Sequence, residues 1–203
     1  MLKTVAAVNE SAKESTMITP PHFPSLATAI QTLFGERTQI EKTSPISGGD
    51  INEAFRLTLT DGGGIFMKSN TKENLSLFIA EAAGLSAIAR TEAIGTPRIL
   101  GVGTDAGRGG FSFLLLEFIS GKIRGTNYWE DFAGQLAAMH RAPTAGLVSD
   151  GKYGFDSDNF IGRRKQVNRA CDSWIDFFRT CRLEPQFQSA ARYFDGEDRK
   201  RIG

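Results

Sequence analysis

Apolar and polar residues follow two different spacings along this chain, and the switches between them mark its elements. Between Ser25 and Gly35, Leu26, Ile30, Leu33 and Phe34 recur at helical spacing, with Ser25 placed to cap the first turn and Gly35 to end the helix. Three strand-like runs follow: Gln39 to Ser44, Ala54 to Thr60, and Ile65 to Ser69. The last two flank Asp61-Gly62-Gly63-Gly64, residues that tolerate the positive φ of a tight hairpin. From Lys72 to about Arg90 helical spacing returns, with Phe78, Leu85 and Ile88 on one stripe, and Thr96-Pro97 bars its continuation. Two more strands, Arg98 to Gly103 and Phe111 to Phe118, enclose a glycine-rich turn, and the second is apolar on both faces and so must be buried on both. Three strands, a helix and two strands predict an α+β lobe: a five-stranded, mostly antiparallel sheet with one long helix.

Beyond Ile119 the pattern becomes helical. A glycine-containing connector leads to a helix from Tyr128 to His140 with Phe132, Leu136 and Met139 on one face. A loop from Ala142 to Asn159 precedes a helix over Val167 to Arg182, and a last helix starts near Pro185 and runs to Gly203. Trp129 and Trp174 are expected in the core, and Arg163-Arg164-Lys165 on a solvated helix surface. The domain reading is a disordered tail at 1–21, with Met17 as a candidate true start, a first lobe at 22–119 and part of a helical lobe at 120–203.

Composition narrows the partners. A formal net charge of +1 provides no basic field for nucleic acid. No stretch approaches the roughly 18 apolar residues of a membrane helix, and the N-terminus does not read as a signal peptide. Cys171 and Cys181, both placed in helix by the pattern, lack metal-ligand spacing, so reduced thiols in a cytoplasmic protein are expected.

The candidate chemistry lies in the first lobe. Gly48 and Gly49, followed by Asp50, Ile51, Asn52 and Glu53, sit between two strands, where bare backbone can approach phosphate oxygens closely. Alone, these residues read more simply as a plain turn than as a phosphate cradle. Lys68 falls on the same strand face as Phe66, where burial of a cation is costly unless an anion meets it. Glu81 shares its helix face with Phe78, Leu85 and Ile88 and needs a cation for the same reason. The order glycine loop, strand Lys, helix Glu and a strand ending in Glu117 matches the parts by which protein kinases hold ATP. In that arrangement Glu117, Phe118 and Ile119 form the link whose backbone meets adenine.

Five stretches make the resemblance specific: Ser-Gly-Gly-Asp-Ile-Asn-Glu-Ala (47–54), Glu-Ala-Ala-Gly-Leu (81–85), Gly-Phe-Ser-Phe-Leu-Leu-Leu-Glu (110–117), Leu-Ala-Ala-Met-His (136–140) and Tyr-Gly-Phe-Asp-Ser-Asp-Asn-Phe-Ile-Gly (153–162). Over residues 40 to 203 the chain resembles the fructosamine (ketosamine-3-) kinase family of the protein-kinase-like superfamily. The resemblance implies ATP-dependent phosphorylation of the sugar of fructosamines or ribulosamines, on small amines or glycated proteins, with Mg²⁺. It also implies that residues 48–53 cover the phosphates, Lys68 contacts them and Glu81 fixes Lys68. Asp156, Asp158 and Asn159 are candidates for the sugar pocket. The His-Gly-Asp loop and the Mg²⁺ ligands of such kinases find no match, and His140 is followed by Arg-Ala-Pro. The chain is therefore read as a C-terminally truncated member, not expected to turn over. The alternatives are an aminoglycoside- or choline-kinase-like phosphotransferase and a non-catalytic nucleotide-binding module.

Overall fold

A computed structural model describes residues 19–48, 51–107, 109–121, 124–149 and 151–202. Of the segment read as a tail, residues 1–18, Met17 included, lie outside the described residues. Pro20 is buried, and the Pro21 carbonyl accepts a 2.9 Å hydrogen bond from the Val102 amide.

The elements of the first lobe are β1 (His22–Phe23), α1 (Leu26–Phe34), β2 (Ile40–Ile46), β3 (Glu53–Leu59), β4 (Gly64–Asn70), α2 (Leu75–Ala89), β5 (Ile99–Asp105) and β6 (Phe111–Glu117). A 3₁₀ turn over Lys72–Asn74 leads into α2. Ser25 caps α1 as its position predicted, accepting from the Thr28 amide at 3.1 Å. The β3–β4 hairpin closes through Leu59 N–H to the Gly63 carbonyl, with Gly62 at φ 84°.

The sheet order is β1-β5-β6-β4-β3-β2, antiparallel except for β1, which runs parallel to β5. It thus has six strands where the pattern predicted five. The extra strand is two residues long, too short to show a period, and it depends on a close approach that only glycine permits. A Cβ on Gly103 would lie 2.2 Å from the Phe23 carbonyl oxygen.

The two faces of the sheet bury separate cores, as the two-sided apolar run of β6 requires. Phe23, Ile30, Leu57, Leu59, Ile65, Met67, Phe113 and Leu115 pack on the α1 side. Phe78, Ala82, Val102, Leu114 and Leu116 pack on the α2 side. Strand alternation therefore places even-numbered β4 residues, Phe66 and Lys68, under α2.

The second half departs more from its pattern. Helix α3 (Tyr128–Arg141) forms as predicted, but none of its residues is buried. Trp129 (63% exposed) and Trp174 (52%) are not core residues: no described element covers the α3 stripe, and Trp174 is only partly covered, by Tyr153, Phe177 and Phe178, while Phe177 beside it is buried. Tyr128, Trp129 and Phe132 pack on one another instead, with the Arg124 guanidinium 4.9 Å from the Trp129 ring centroid.

Between the loop predicted to end at Asn159 and the helix predicted from Val167 the chain forms a hairpin, β7 (Asn159–Ile161) and β8 (Arg164–Gln166). Arg164 and Lys165 are thus strand residues, and Gly162 makes the turn at φ 63°. The following helix starts at Trp174 rather than Val167, since residues 168–171 are engaged in bridging the preceding loop. The Asn168 amide donates to Asp158 Oδ1 at 2.9 Å, and Tyr153 and Cys171 exchange two backbone bonds at 2.8 Å. Cys171 is therefore not helical, while Cys181 is buried in a π-helical turn, Arg179–Leu183, between α4 (Trp174–Phe178) and α5 (Glu184–Ala190). The last predicted helix is interrupted by a 3₁₀ turn at Ala191–Tyr193 before α6 (Gly196–Ile202).

Candidate active site: a lysine–glutamate pair beside the glycine loop

Lys68 sits on β4 between Ala54 of β3 and Leu114 of β6 in the sheet register. Its ammonium reaches Glu81 Oε1 on α2 at 2.5 Å, and the two side chains are 29% and 30% exposed. Each thus meets the counter-ion its apolar surroundings demanded, with one side open to solvent. Ala54, buried and with a short side chain, leaves the sheet surface beside Lys68 low.

The glycine loop is anchored from β4. Asn70 Nδ2 donates to the Ile51 carbonyl at 3.0 Å and to Asn52 Oδ1 at 2.7 Å. Asn70 Oδ1 accepts in turn from the Thr71 amide (2.7 Å) and Asn74 Nδ2 (2.9 Å). One carboxamide therefore ties the loop, the end of β4 and the entry to α2 together. Sequence reasoning missed Asn70. Its only signal was a position two residues beyond Lys68, on the same strand face. The fully buried Ser112 hydroxyl donates to the Thr71 carbonyl at 2.8 Å and steadies the same corner.

Gly48 adopts φ 121°, a backbone that favours glycine, and a Cβ there would meet nothing within 4 Å, so its backbone faces open space. Gly49 and Asp50 lie outside the described residues. Glu53 begins β3 and is exposed. At the other end, Glu117 closes β6, its amide donating to the Arg98 carbonyl (2.9 Å) and its Oε2 accepting from the Arg98 amide (3.3 Å). Phe118 lies under the Arg56 guanidinium, 4.5 Å from the ring centroid, and Ile119 is 64% exposed.

The three candidates from the second half separate. Asp156 is engaged through its amide, which donates to the Leu147 carbonyl (2.9 Å), and Asp158 through its carboxylate, which holds Asn168. Asn159 lines a cleft of about 350 Å³ between the glycine loop, α2 and β7, where Glu81 also appears. Gln166 Nε2 donates to Asn159 Oδ1 at 2.9 Å.

Behind this hairpin, buried Asn168 donates to the Ser157 carbonyl (2.9 Å) and accepts from Arg182 Nη2 (2.5 Å). Burial holds the Arg182 guanidinium below its ordinary pKa, yet it stays charged and stacks 4.5 Å from the Phe177 ring centroid. Among the described residues no group of three or more His, Cys, Asp or Glu could hold a metal ion. No helix among them is long and apolar enough to cross a membrane.

A mostly antiparallel sheet whose strand Lys68 pairs with Glu81 of the helix packed on it, beside a glycine-containing loop, has the α+β architecture of a protein-kinase-like N-lobe. The fructosamine kinase family model matches residues 22–200. A ketoamine kinase of Synechocystis is 34% identical over 174 residues, covering 85% of this chain and 56% of the relative. A chloroplastic protein-ribulosamine 3-kinase of Oryza sativa subsp. indica is 38% identical over 161 residues, covering 79% and 44%. The crystal structure of a protein named as a fructosamine-3-kinase, from Haemophilus somnus, superposes with TM-score 0.72 at 28% identity, covering 83% and 54%. The chain belongs to the fructosamine kinase family. It spans about half the length of the curated relatives it matches.

Proposed function

We propose that this chain is the nucleotide-holding half of an ATP-dependent ketosamine kinase. In the reaction the γ-phosphoryl group passes to a sugar hydroxyl of a fructosamine or ribulosamine, on a small amine or a glycated protein. The bond from the γ-phosphorus to the bridging oxygen of ADP breaks, a bond to the sugar oxygen forms, and the hydroxyl proton leaves to a base. The observation that carries this reading is the Lys68–Glu81 pair, because a half-buried ammonium held in place by a carboxylate can neutralise phosphate without reorganising.

The residues present fit ATP: Lys68 for the phosphates, the 48–53 loop over them, and the backbone of residues 117–119 at the adenine edge. Among the described residues they do not provide a Mg²⁺ site. No residue of the chain matches the base in its loop context, which also favours a second reading, a nucleotide-binding module without turnover. Two unpaired cysteines fit a reducing, cytoplasmic setting.

Titration of the purified chain with a fluorescent ATP analogue tests the reading. Saturable binding that Lys68→Met weakens supports it, and binding indifferent to Lys68→Met overturns it. Incubation with radiolabelled ATP and fructosyl-lysine, an aminoglycoside or choline is expected to label none of them. Labelling of fructosyl-lysine would show a base within these residues, and labelling of only the other two would sink the ketosamine assignment.

A further inference from the structure

We propose that the cleft between α2, Ile51-Asn52 and the β7–β8 hairpin seats the sugar of the ketosamine, and that Gly84 is small to leave room for it. This rests on the ketosamine-kinase reading and adds to it a place and a size-determining residue. At about 350 Å³ the cleft falls within the range of small-molecule sites, roughly 300–1,000 Å³.

Gly84 is the first ground. It lies inside the 15-residue helix α2, where glycine is less stable than alanine. Neither its φ nor its packing calls for glycine, since a Cβ would meet nothing within 4 Å. The missing side chain serves no contact within the fold, and the open space in front of it belongs to the cleft.

The lining is the second ground. Among the described residues it contains no Lys or Arg, one carboxylate (Glu81), two carboxamides (Asn52 and Asn159) and one aromatic ring (Phe160). The cation beside it, Lys68, is already paired with Glu81. A polyol carrying an ammonium would find partners for all its parts: amides for hydroxyls, a carboxylate for the amine, and a ring for the apolar C–H face. Asn70 and Gln166 occupy the Oδ1 atoms of the two asparagines, which leaves their N–H₂ groups as donors. Glu81 is shared by the cleft and the ion pair, so a sugar here lies next to the cation that holds the phosphates.

The test is a ¹⁵N–¹H NMR titration of the chain with ε-fructosyl-lysine, free lysine and, separately, ATP, repeated on Gly84→Leu and Phe160→Ala with thermal unfolding of each. Saturable fructosyl-lysine shifts at residues 51–52, 77–84 and 159–162 are expected. Gly84→Leu should weaken fructosyl-lysine roughly tenfold or more by overfilling the cleft. It should leave ATP affinity within about twofold of the starting chain. Phe160→Ala, which removes the opposite wall, gives the same answer should the leucine variant not fold. Absence of saturable shifts, shifts elsewhere, equal response to lysine, or unchanged affinity in both variants overturns the proposal. Loss of ATP binding in the starting chain would refute the kinase reading itself, whereas ATP binding with fructosyl-lysine seated elsewhere would refute only this site.

Discussion

Replacing Glu81 by alanine separates what the ion pair does for the fold from what it does for the nucleotide. At an effective dielectric of about 20 and charge centres roughly 4 Å apart, the pair gains about 4 kcal/mol. Exposed pairs return only about 0.2–1 kcal/mol net, whereas breaking a fully buried pair costs about 3–5 kcal/mol. Lys68 and Glu81 are 29% and 30% exposed, so water screens the pair and rehydrates the freed ammonium. The expected loss of stability lies between those limits, at about 1–2 kcal/mol, or a fall in Tm of about 2–8 °C for a chain this size. Nucleotide affinity should suffer more in proportion. Without Glu81 the lysine regains about 2 kcal/mol of rotamer entropy, which ATP must then remove, and affinity should fall about ten- to thirtyfold. Calorimetric titration of ATP into the wild type, E81A, K68A and the double variant, beside thermal unfolding of each, measures both quantities. An E81A affinity within about twofold of wild type, or a coupling energy below about 0.5 kcal/mol in the cycle, would refute the claim that Glu81 orients Lys68.

Three further substitutions probe the supports of the site. Asn70→Ala releases the glycine loop and leaves the Asn52 and Ile51 oxygens without their donor, so it should cost about 1–2 kcal/mol of stability and speed amide exchange at residues 51–53, read by hydrogen-exchange mass spectrometry. Gly103→Ala drives a Cβ to 2.2 Å from the Phe23 carbonyl and 2.6 Å from Phe113 Cζ, so about 3 kcal/mol or more should be lost on chemical denaturation. Arg182→Ala removes the donors to the Val167 and Cys181 carbonyls and to Asn168 Oδ1. It should cost about 2–3 kcal/mol, with new exchange concentrated in the β7–β8 hairpin rather than in the first lobe.

The first lobe was largely legible because its signals are local. Ser25 capped its helix, the Asp61–Gly64 glycines made their hairpin, and strand alternation set Lys68 and Phe66 on one face. The second half was less so. The stripe of α3 has the spacing of a core helix, yet Trp129 stays exposed, because spacing says which residues share a face and not what covers it. The β7–β8 hairpin was hidden by its length of three residues per strand and by the charges of Arg163, Arg164 and Lys165 at and beside its turn. Asp158 reads in the sequence as a candidate for the sugar pocket, and in the fold its carboxylate holds the Asn168 amide.

By itself the sequence determined the order of parts, glycine loop, lysine, glutamate and link, since each is written in a contiguous run whose period or composition implies its conformation. Tertiary structure alone decided which of those parts meet. The closure of Lys68 on Glu81, the grip of Asn70 on the glycine loop, and the approach of Asn159 and Phe160 to the open space before Gly84 all join segments distant in the chain. No local pattern encodes such contacts, because they depend on how the sheet twists and where α2 packs upon it.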